Sequence, residues 1–563
     1  MPRRSAVDVS APDEEDPRIL MLGRGWFPET VGGLDRYYRS LLEQLPEASG
    51  VVIGPAADAP ARVSVVARPG APGLVRILAY WRAARRRMAQ SELLDVHFAL
   101  YAAAPVFASR RRRPAVFHFH GPWADENVAS GDASRLRFHL RHALERRTLR
   151  RADAFVVLSG AFRRILLERY GVPPWDVHVW PPGVAVDVFT PGSRSDARAR
   201  MGLSESAFVV ACARRLVPRV GIEVLLDAWA RLDDQLPAGS AVLIAGDGPL
   251  REELQRRVEI PQLAGRVRIL GRISDGELLD VYRAADVAAV PSSEYEGFGM
   301  VVLEAAACGT ASLVSDVGGL PQAVAGLDPT LVVPAGDVDA WSRRILAAAE
   351  GELPAREATR RFAERFDWPT IAERHRALYR RTVAGVRDER LRVVYLSDVA
   401  HVSEAETAFL WLLSGLSAVN AHVILGEDGP LAARLQVAGV SVEVLSRARG
   451  PDHGGSMMSR LTDVARLASR IRRIRPDLVH ATTTRSAVYG SVAAWAARVP
   501  LVWDGRGTVS PVARVILRHA TGVALSDSRA TSSHRSDEPY GVAVGDLLRL
   551  YESVRRQKSR VSK

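Results

Sequence analysis

The sequence predicts an α/β protein of doubly wound parallel sheets, and three observations carry that expectation. Short apolar runs alternate with stretches of helical periodicity along most of the 563 residues. That is the pattern of strand–helix units whose crossovers cover both faces of a sheet. Several runs end in glycine-rich loops, as at Gly32-Gly33, Gly297–Gly299 and Gly318-Gly319, and open parallel sheets bind ligands at the carboxyl ends of their strands. The alternation then starts afresh near residue 391, so a third Rossmann-like sheet is expected after the first two.

Composition sets the limits. A chain of this length holds about three or four domains. Hydrophobic content of 47% with 25% charged residues is ordinary for a soluble globular protein. The chain has no apolar run of about eighteen residues, and its first twenty carry Asp13–Asp16 in place of an apolar signal core. Neither a transmembrane helix nor secretion is expected, so the setting is cytoplasmic. Cys212 and Cys308 are the only cysteines, which excludes a disulfide framework and a Cys-rich zinc site.

The net charge of +12 is almost all arginine, with Lys558 and Lys563 the only lysines. Three clusters stand out: Arg82 with Arg85–Arg87 beside Tyr80 and Trp81, Arg110–Arg113, and Arg141, Arg146, Arg147, Arg150 and Arg151. Such clusters suit an anionic membrane surface, which attracts each charge by about 1 kcal/mol. Solvated helix faces explain them nearly as well. The aromatic interleaving of a nucleic-acid binder is missing, so no nucleic acid is expected as a partner.

In chain order, residues 1–16 are polar and read as a disordered tail. Strands are expected at 18–22, 51–53, 64–67, 94–97, 115–119 and 154–158, the first followed by a glycine loop and an amphipathic helix with Leu34, Tyr37, Leu41 and Leu42 inward. After the fifth comes His118-Phe119-His120-Gly121. A second set begins with the strand 207–213 and Arg214–Gly221. It passes through Gly246-Asp247-Gly248 and reaches the stretch around which the chain is organised, residues 291–324. There a buried strand, a glycine loop and a helix over Met300–Ala307 are followed by a strand at 311–315 and a helix opened by Pro321. Glu296 lies on the loop and Glu304 about one turn into the helix. Carboxylates so placed accept hydrogen bonds from paired hydroxyls, as a sugar or ribose offers, and the helix N-terminus suits a phosphate.

These thirty-odd residues in register resemble the donor-binding signature of retaining glycosyltransferases of the GT-B fold, family 4. So do the FPxxxGG opening, the His-Gly, the Pro181–Val184 segment and the closing helix from Trp368. The resemblance implies an acceptor-side domain over 17–195, a nucleotide-sugar domain over 196–365, and a crossover helix over 366–386. It implies that Glu296 contacts the donor sugar, Glu304 the nucleotide ribose, and His120 the reaction centre, His120 being preferred to His118 because it directly precedes the glycine. Gly32, Gly33, Arg215, Arg219, Gly297, Phe298 and Gly299 are implied as further donor contacts. Where the family has a lysine before a glycine this chain has Val220, and Arg219 is expected to take its place. No cofactor and no metal are implied; the nucleoside-diphosphate sugar is a substrate. The acceptor is expected to be a glycan or lipid-linked hydroxyl.

Residues 391–530 resemble the amino-terminal domain of a second such enzyme, truncated and altered, and 531–563 a tail with a short helix. Paired glycines are replaced by Ser403–Glu406, a histidine by Asp504, and no second nucleotide domain follows. The function implied is retaining transfer of a sugar from a nucleoside-diphosphate donor, in glycan, glycolipid or cell-envelope synthesis. A non-catalytic scaffold and another GT-B enzyme, such as an epimerase, are the alternatives.

Overall fold

The computed structural model describes residues 16–30, 32–68, 70–108, 113–123, 135–232, 234–386, 390–398, 409, 413, 416, 418–427, 429–437, 440–445, 457–503, 524–525 and 547–554. The tail 1–15, Arg110–Arg112, Ser403–Glu406 and Asp504 lie outside them. By internal contacts the chain forms two compact units: Met1–Ser159 with Trp180–Arg387, and Gly160–Val179 with Asp388–Lys563.

The first unit holds two parallel sheets. One comprises β1 (Ile19–Leu22), β2 (Ala48–Ile53), β3 (Val63–Val66), β4 (Leu93–Val96), β5 (Ala115–Phe119) and β6 (Ala154–Val157), in the order β3-β2-β1-β4-β5-β6. The strand β7, Val177–Val179, falls in the other unit. The second sheet comprises β8 (Val209–Ala213), β9 (Ala241–Ala245), β10 (Val267–Gly271), β11 (Val287–Val290), β12 (Ser312–Ser315) and β13 (Val332–Val333), in the order β10-β9-β8-β11-β12-β13. Most of these strands are buried along their whole length, as parallel strands covered on both faces must be. In each sheet the order reverses once, between β1 and β4 and between β8 and β11. That reversal opens a crevice at the carboxyl ends.

Helices close the unit. Gly33–Glu43 buries Tyr37, Tyr38, Leu41 and Leu42, one face at helical spacing. The helix Trp368–Val383 starts at Asp367, whose carboxylate accepts from the Thr370 N–H. Its Trp368, Ile371, Ala372, Leu378 and Tyr379 join the core of the first sheet, so the closing helix returns to the first domain. Cys212 and Cys308 are buried free thiols, pushed by burial up to about 12.

The second unit repeats the topology. Its strands are β14 (Leu391–Ser397), β15 (Val419–Leu425), β16 (Ser441–Val444), β17 (Leu478–Ala481), β18 (Leu501–Trp503) and β19 (Ala524–Leu525), in the order β16-β15-β14-β17-β18-β19. Two segments differ from expectation. Residues 160–179, read as part of the first domain, pack here: Trp175 is buried with Ile471 and Ile474 and donates its indole N–H to the Ile474 carbonyl at 2.8 Å. Arg470 reaches the Leu167 carbonyl at 3.1 Å and the Glu443 carboxylate at 2.6 Å. The helix at 547–554, read as part of a tail, places Leu547, Tyr551 and Val554 in the core beside Leu391 and Tyr395. No helix among the described residues is long and apolar enough to cross a membrane.

Candidate active site

The loop after β11 is shaped by glycines that its own backbone presses against. Gly318 has φ 59°, and a Cβ there would stand 2.0 Å from the Glu296 carbonyl oxygen. Gly319 donates its N–H to that carbonyl at 2.9 Å. Gly221, also left-handed at φ 69°, leaves room for the Pro291 carbonyl, 2.2 Å from where a Cβ would be. Three glycines thus clamp the ends of residues 291–297, and a side chain at any of them would displace the loop. Gly299 (φ 84°) then starts the helix Met300–Ala307, Phe298 is buried in the core of the second sheet, and Gly297 lies under Gly319.

Both glutamates are enclosed, their side chains 13% and 5% exposed. The Glu296 carboxylate pairs with the Arg214 guanidinium, and Ser292 Oγ lies 3.0 Å from Arg214 and 3.4 Å from Glu296. Burial opposes ionisation of Glu296, but Arg214 beside it, and Arg219 further off, hold its carboxyl below the usual range. Glu304 is buried and meets Arg36 at 3.3 Å; Arg36 also reaches Asp275 at 3.1 Å and lies over the Phe27 ring. Burial pushes the Glu304 carboxyl up, with Arg36 pulling it down and Asp275 pushing it up again. The buried Glu304 carboxylate also has the Tyr282 hydroxyl beside it.

Of the two arginines expected to serve a diphosphate, Arg219, in the turn after β8, is bonded to this loop, donating to the Tyr295 carbonyl at 3.1 Å while its own carbonyl accepts from Ser293 N. Arg215 is exposed, and its neighbour Arg214 is the one that turns to Glu296. Consecutive residues leaving a strand face opposite ways, so a displacement of one position decides which cation enters the site.

The glycine loop after β1 is held by a residue that the sequence reading passed over. Asp35 is fully buried, pairs with Arg24 and accepts the Gly25 N–H at 3.0 Å. A Cβ on Gly32 would meet Arg24 Nη2 at 3.0 Å, whereas Gly33 has nothing within 4 Å.

His120 belongs to a larger cluster. His97 Nδ1 is 3.1 Å from His120 Nε2, and His97 Nε2 is 3.0 Å from Asp95 Oδ2. Asp95 Oδ1 lies 2.9 Å from His118 Nε2, and Tyr379 of the closing helix donates to Asp95 Oδ2 at 2.9 Å. His97 and His118 are buried and His120 is half-buried. Burial, aided by His118, pushes His97 down to about 4; burial, aided by His97 and His118, pushes His120 well below its ordinary value. Nitrogen atoms of His97, His118 and His120 lie within 4.8 Å of one another. Their rings are near-parallel, at 16° to 22°, so three in-plane lone pairs do not converge on one point as a metal centre requires. Asp95 in an otherwise apolar strand was the available signal: a buried carboxylate demands partners.

Comparison with known proteins agrees with this arrangement. Residues 31–200 match the model for Glycosyltransferase Family 4, residues 193–366 that for glycosyl transferases group 1, and residues 403–535 that for a glycosyl transferase 4-like domain. A D-inositol 3-phosphate glycosyltransferase of Saccharomonospora viridis is 36% identical over 278 residues, 47% of this chain and 64% of that one. The protein of the same name from Mycobacterium bovis is 34% identical over 292 residues, 50% of this chain and 59% of the other. The matches therefore span less than two thirds of these relatives. Among solved structures, sucrose-phosphate synthase from Thermosynechococcus elongatus is similar with a TM-score of 0.54 and 24% identity, covering 65% of this chain and 99% of that one. Anabaena HepE in complex with UDP and glucose gives 0.53 and 21%, covering 64% and 99%. At these identities the structural likeness is one of fold.

Proposed function

We propose that the first unit, which holds most of residues 31–200 and all of residues 193–366 that match the two glycosyltransferase models, moves a sugar from a nucleoside-diphosphate donor to an acceptor hydroxyl, with retention at the anomeric carbon. The observation that carries this reading is the pair of enclosed carboxylates at the carboxyl end of the second sheet, each opposed by an arginine. Glu296 is held ionised by Arg214 and is placed to accept hydrogen bonds from sugar hydroxyls; Glu304, within the helix that follows the loop, accepts from the ribose. Arg219, bonded to the same loop at Tyr295, and the free N–H groups at the start of Met300–Ala307 receive the diphosphate charge as it develops, with Arg215 as a second cation from the turn after β8. Positive charge from arginines does here what a metal does elsewhere. In the transfer, the bond from the anomeric carbon to the diphosphate oxygen breaks. The acceptor oxygen bonds to the same face, and its proton passes to the departing phosphate oxygen. His120 touches the sugar at that face.

The names of the curated relatives support a hydroxylated acceptor such as a phosphorylated polyol, and the surface of the first domain supports one presented at a membrane. Leu74, Val75 and Leu78 are exposed on the helix Gly73–Met88 beside Arg82, Arg85 and Arg86. Leu136 and Leu140 are exposed on Arg135–Leu149 beside Arg137 and Arg146. Apolar side chains among basic ones fit an anionic lipid surface on the cytoplasmic side.

The test is a panel of UDP-, GDP- and ADP-sugars against polyol phosphates and lipid-linked glycans. Release of nucleoside diphosphate only when acceptor is present, with an anomeric configuration in the product matching the donor's, is the expected result. Diphosphate release without acceptor, or an inverted product, overturns it.

A further inference from the structure

We propose that Asp95 and His97 are positioning residues for His120, forming a buried relay that fixes the imidazole in the Nε2–H tautomer and leaves its Nδ1 as a hydrogen-bond acceptor. The inference rests on the reading of His120 as a group at the reaction centre. It starts from the carboxylate. Asp95 is fully buried, and although burial opposes its ionisation, His118 and His97 hold it far below the usual carboxylate range. An ionised carboxylate only accepts hydrogen bonds. The nitrogen facing it at 3.0 Å, His97 Nε2, therefore carries a proton.

In a neutral imidazole the other nitrogen is then an acceptor. His97 is neutral, since burial outweighs the pull of Asp95 on its proton. Its Nδ1 lone pair faces His120 Nε2 at 3.1 Å, and that nitrogen must be the donor. The chain of bonds runs one way, from His120 Nε2–H to His97 and from His97 Nε2–H to Asp95. What remains on the half-buried ring is an unprotonated Nδ1, able to accept from a sugar hydroxyl and unable to donate to one.

The surroundings keep the relay from reversing. Tyr379 donates to the same Asp95 oxygen that His97 uses, at 2.9 Å, and His118 occupies the other oxygen. His118 is stacked on His97 on one side and on His375 on the other. Tyr37, which packs edge-on against His120, has its hydroxyl at 3.1 Å from His375 Nε2, whose Nδ1 is already engaged with the Ile371 carbonyl. The helix Trp368–Val383, far along the chain, thus contributes to the orientation of a ring on the first domain.

Two readouts test this on the full chain. In ¹⁵N-histidine-labelled protein at pH 7, with His120 assigned by its loss in His120→Gln, the expected spectrum shows Nε2 protonated and Nδ1 bare. A protonated Nδ1 overturns the proposal. In transfer assays, His97→Leu lowers kcat about 10- to 100-fold while donor KM stays within about threefold. His97→Gln, whose amide can accept from His120 and donate to Asp95, recovers most of that loss. Unchanged kcat in His97→Leu overturns it, as does a His97→Gln as slow as His97→Leu when both melt like the wild type. If His97→Leu does not fold, the wild-type tautomer decides alone. Absence of turnover from every donor refutes the transferase reading, while the spectrum still decides the relay.

Discussion

At the scale of single residues, the two site glutamates are members of ion pairs, and this changes how they should be tested. Alanine at 296 would leave Arg214 enclosed without its carboxylate, and breaking such a buried pair costs about 3 kcal/mol of stability; alanine at 304 would leave Arg36 with Asp275 as its remaining partner. Glu296→Gln and Glu304→Gln keep shape and hydrogen-bonding capacity. Each is expected to lower kcat/KM by roughly 30- to 1000-fold, about 2–4 kcal/mol, with a melting temperature closer to the wild type than that of the alanine variant. Turnover near wild type in either glutamine variant with an active donor would remove that residue from the site. The histidines set a second expectation. His97 and His375 are pushed by burial down to about 4 and about 3, so the fold holds them neutral while the unfolded chain protonates them near 6.5. Their stabilisation is complete above about pH 6.5 and is lost as pH falls from there toward 4, by about 1 kcal/mol per pH unit for each ring. Melting curves from pH 8 to 5 should show the decline, and His375→Gln should make it shallower; a flat profile would mean that these rings are not held neutral.

At the scale of elements, the glycine loops divide into two kinds, and the division predicts opposite outcomes. Gly318 lies under the Glu296 carbonyl with φ 59°, so Gly318→Ala must move the loop that carries the glutamate. We expect a loss of about 1–3 kcal/mol in stability together with loss of transfer. Gly33 opens its helix with free space where a Cβ would be. Gly33→Ala should melt within a degree or two of the wild type yet raise donor KM, because the space is what the donor phosphates need. An unchanged KM would show that this loop does not touch the donor. The amphipathic helices make a third case. Leu74→Ser with Leu78→Ser removes exposed apolar surface with no core to disturb, and should reduce co-sedimentation with anionic liposomes at low salt. No co-sedimentation of the wild type would mean that the basic clusters are solvated helix faces.

At the scale of the whole chain, the second unit shares the sheet topology of the first domain, with different polar residues among those described. β4 and β17 hold the same place in their sheets. Asp95 pairs in register with Met21, and His480 pairs in register with Tyr395. The closing helix meets that place in both units, Tyr379 on Asp95 and Tyr551 on His480. In the position of His97 stands Thr482. Without an imidazole at that position, the second unit is expected to turn over no nucleotide sugar by itself. Residues 388–563 are a poor vehicle for the test, because they lack Trp175, whose ring is buried in that unit's core. Trp175→Ala in the full chain should increase proteolysis of the second unit and leave donor turnover intact. Equal protease resistance would show that the segment 160–179 is not part of its core.

The sequence by itself determined the fold class, the order of strands and helices to within a few residues, and the glycine-punctuated loop bearing Glu296 and Glu304. These follow from periodicity and from the few residues that turns admit, both local properties. Tertiary structure alone decided that Arg214 and not Arg215 faces Glu296. It alone brought Arg36 to Glu304, Asp95 and His97 to His120, and residues 160–179 to the second unit. Each of these joins residues far apart in the chain or turns on a single step of strand register, where a one-residue shift sends a side chain to the opposite face. Pattern fixes what an element is, and only packing fixes which neighbour a buried charge must find.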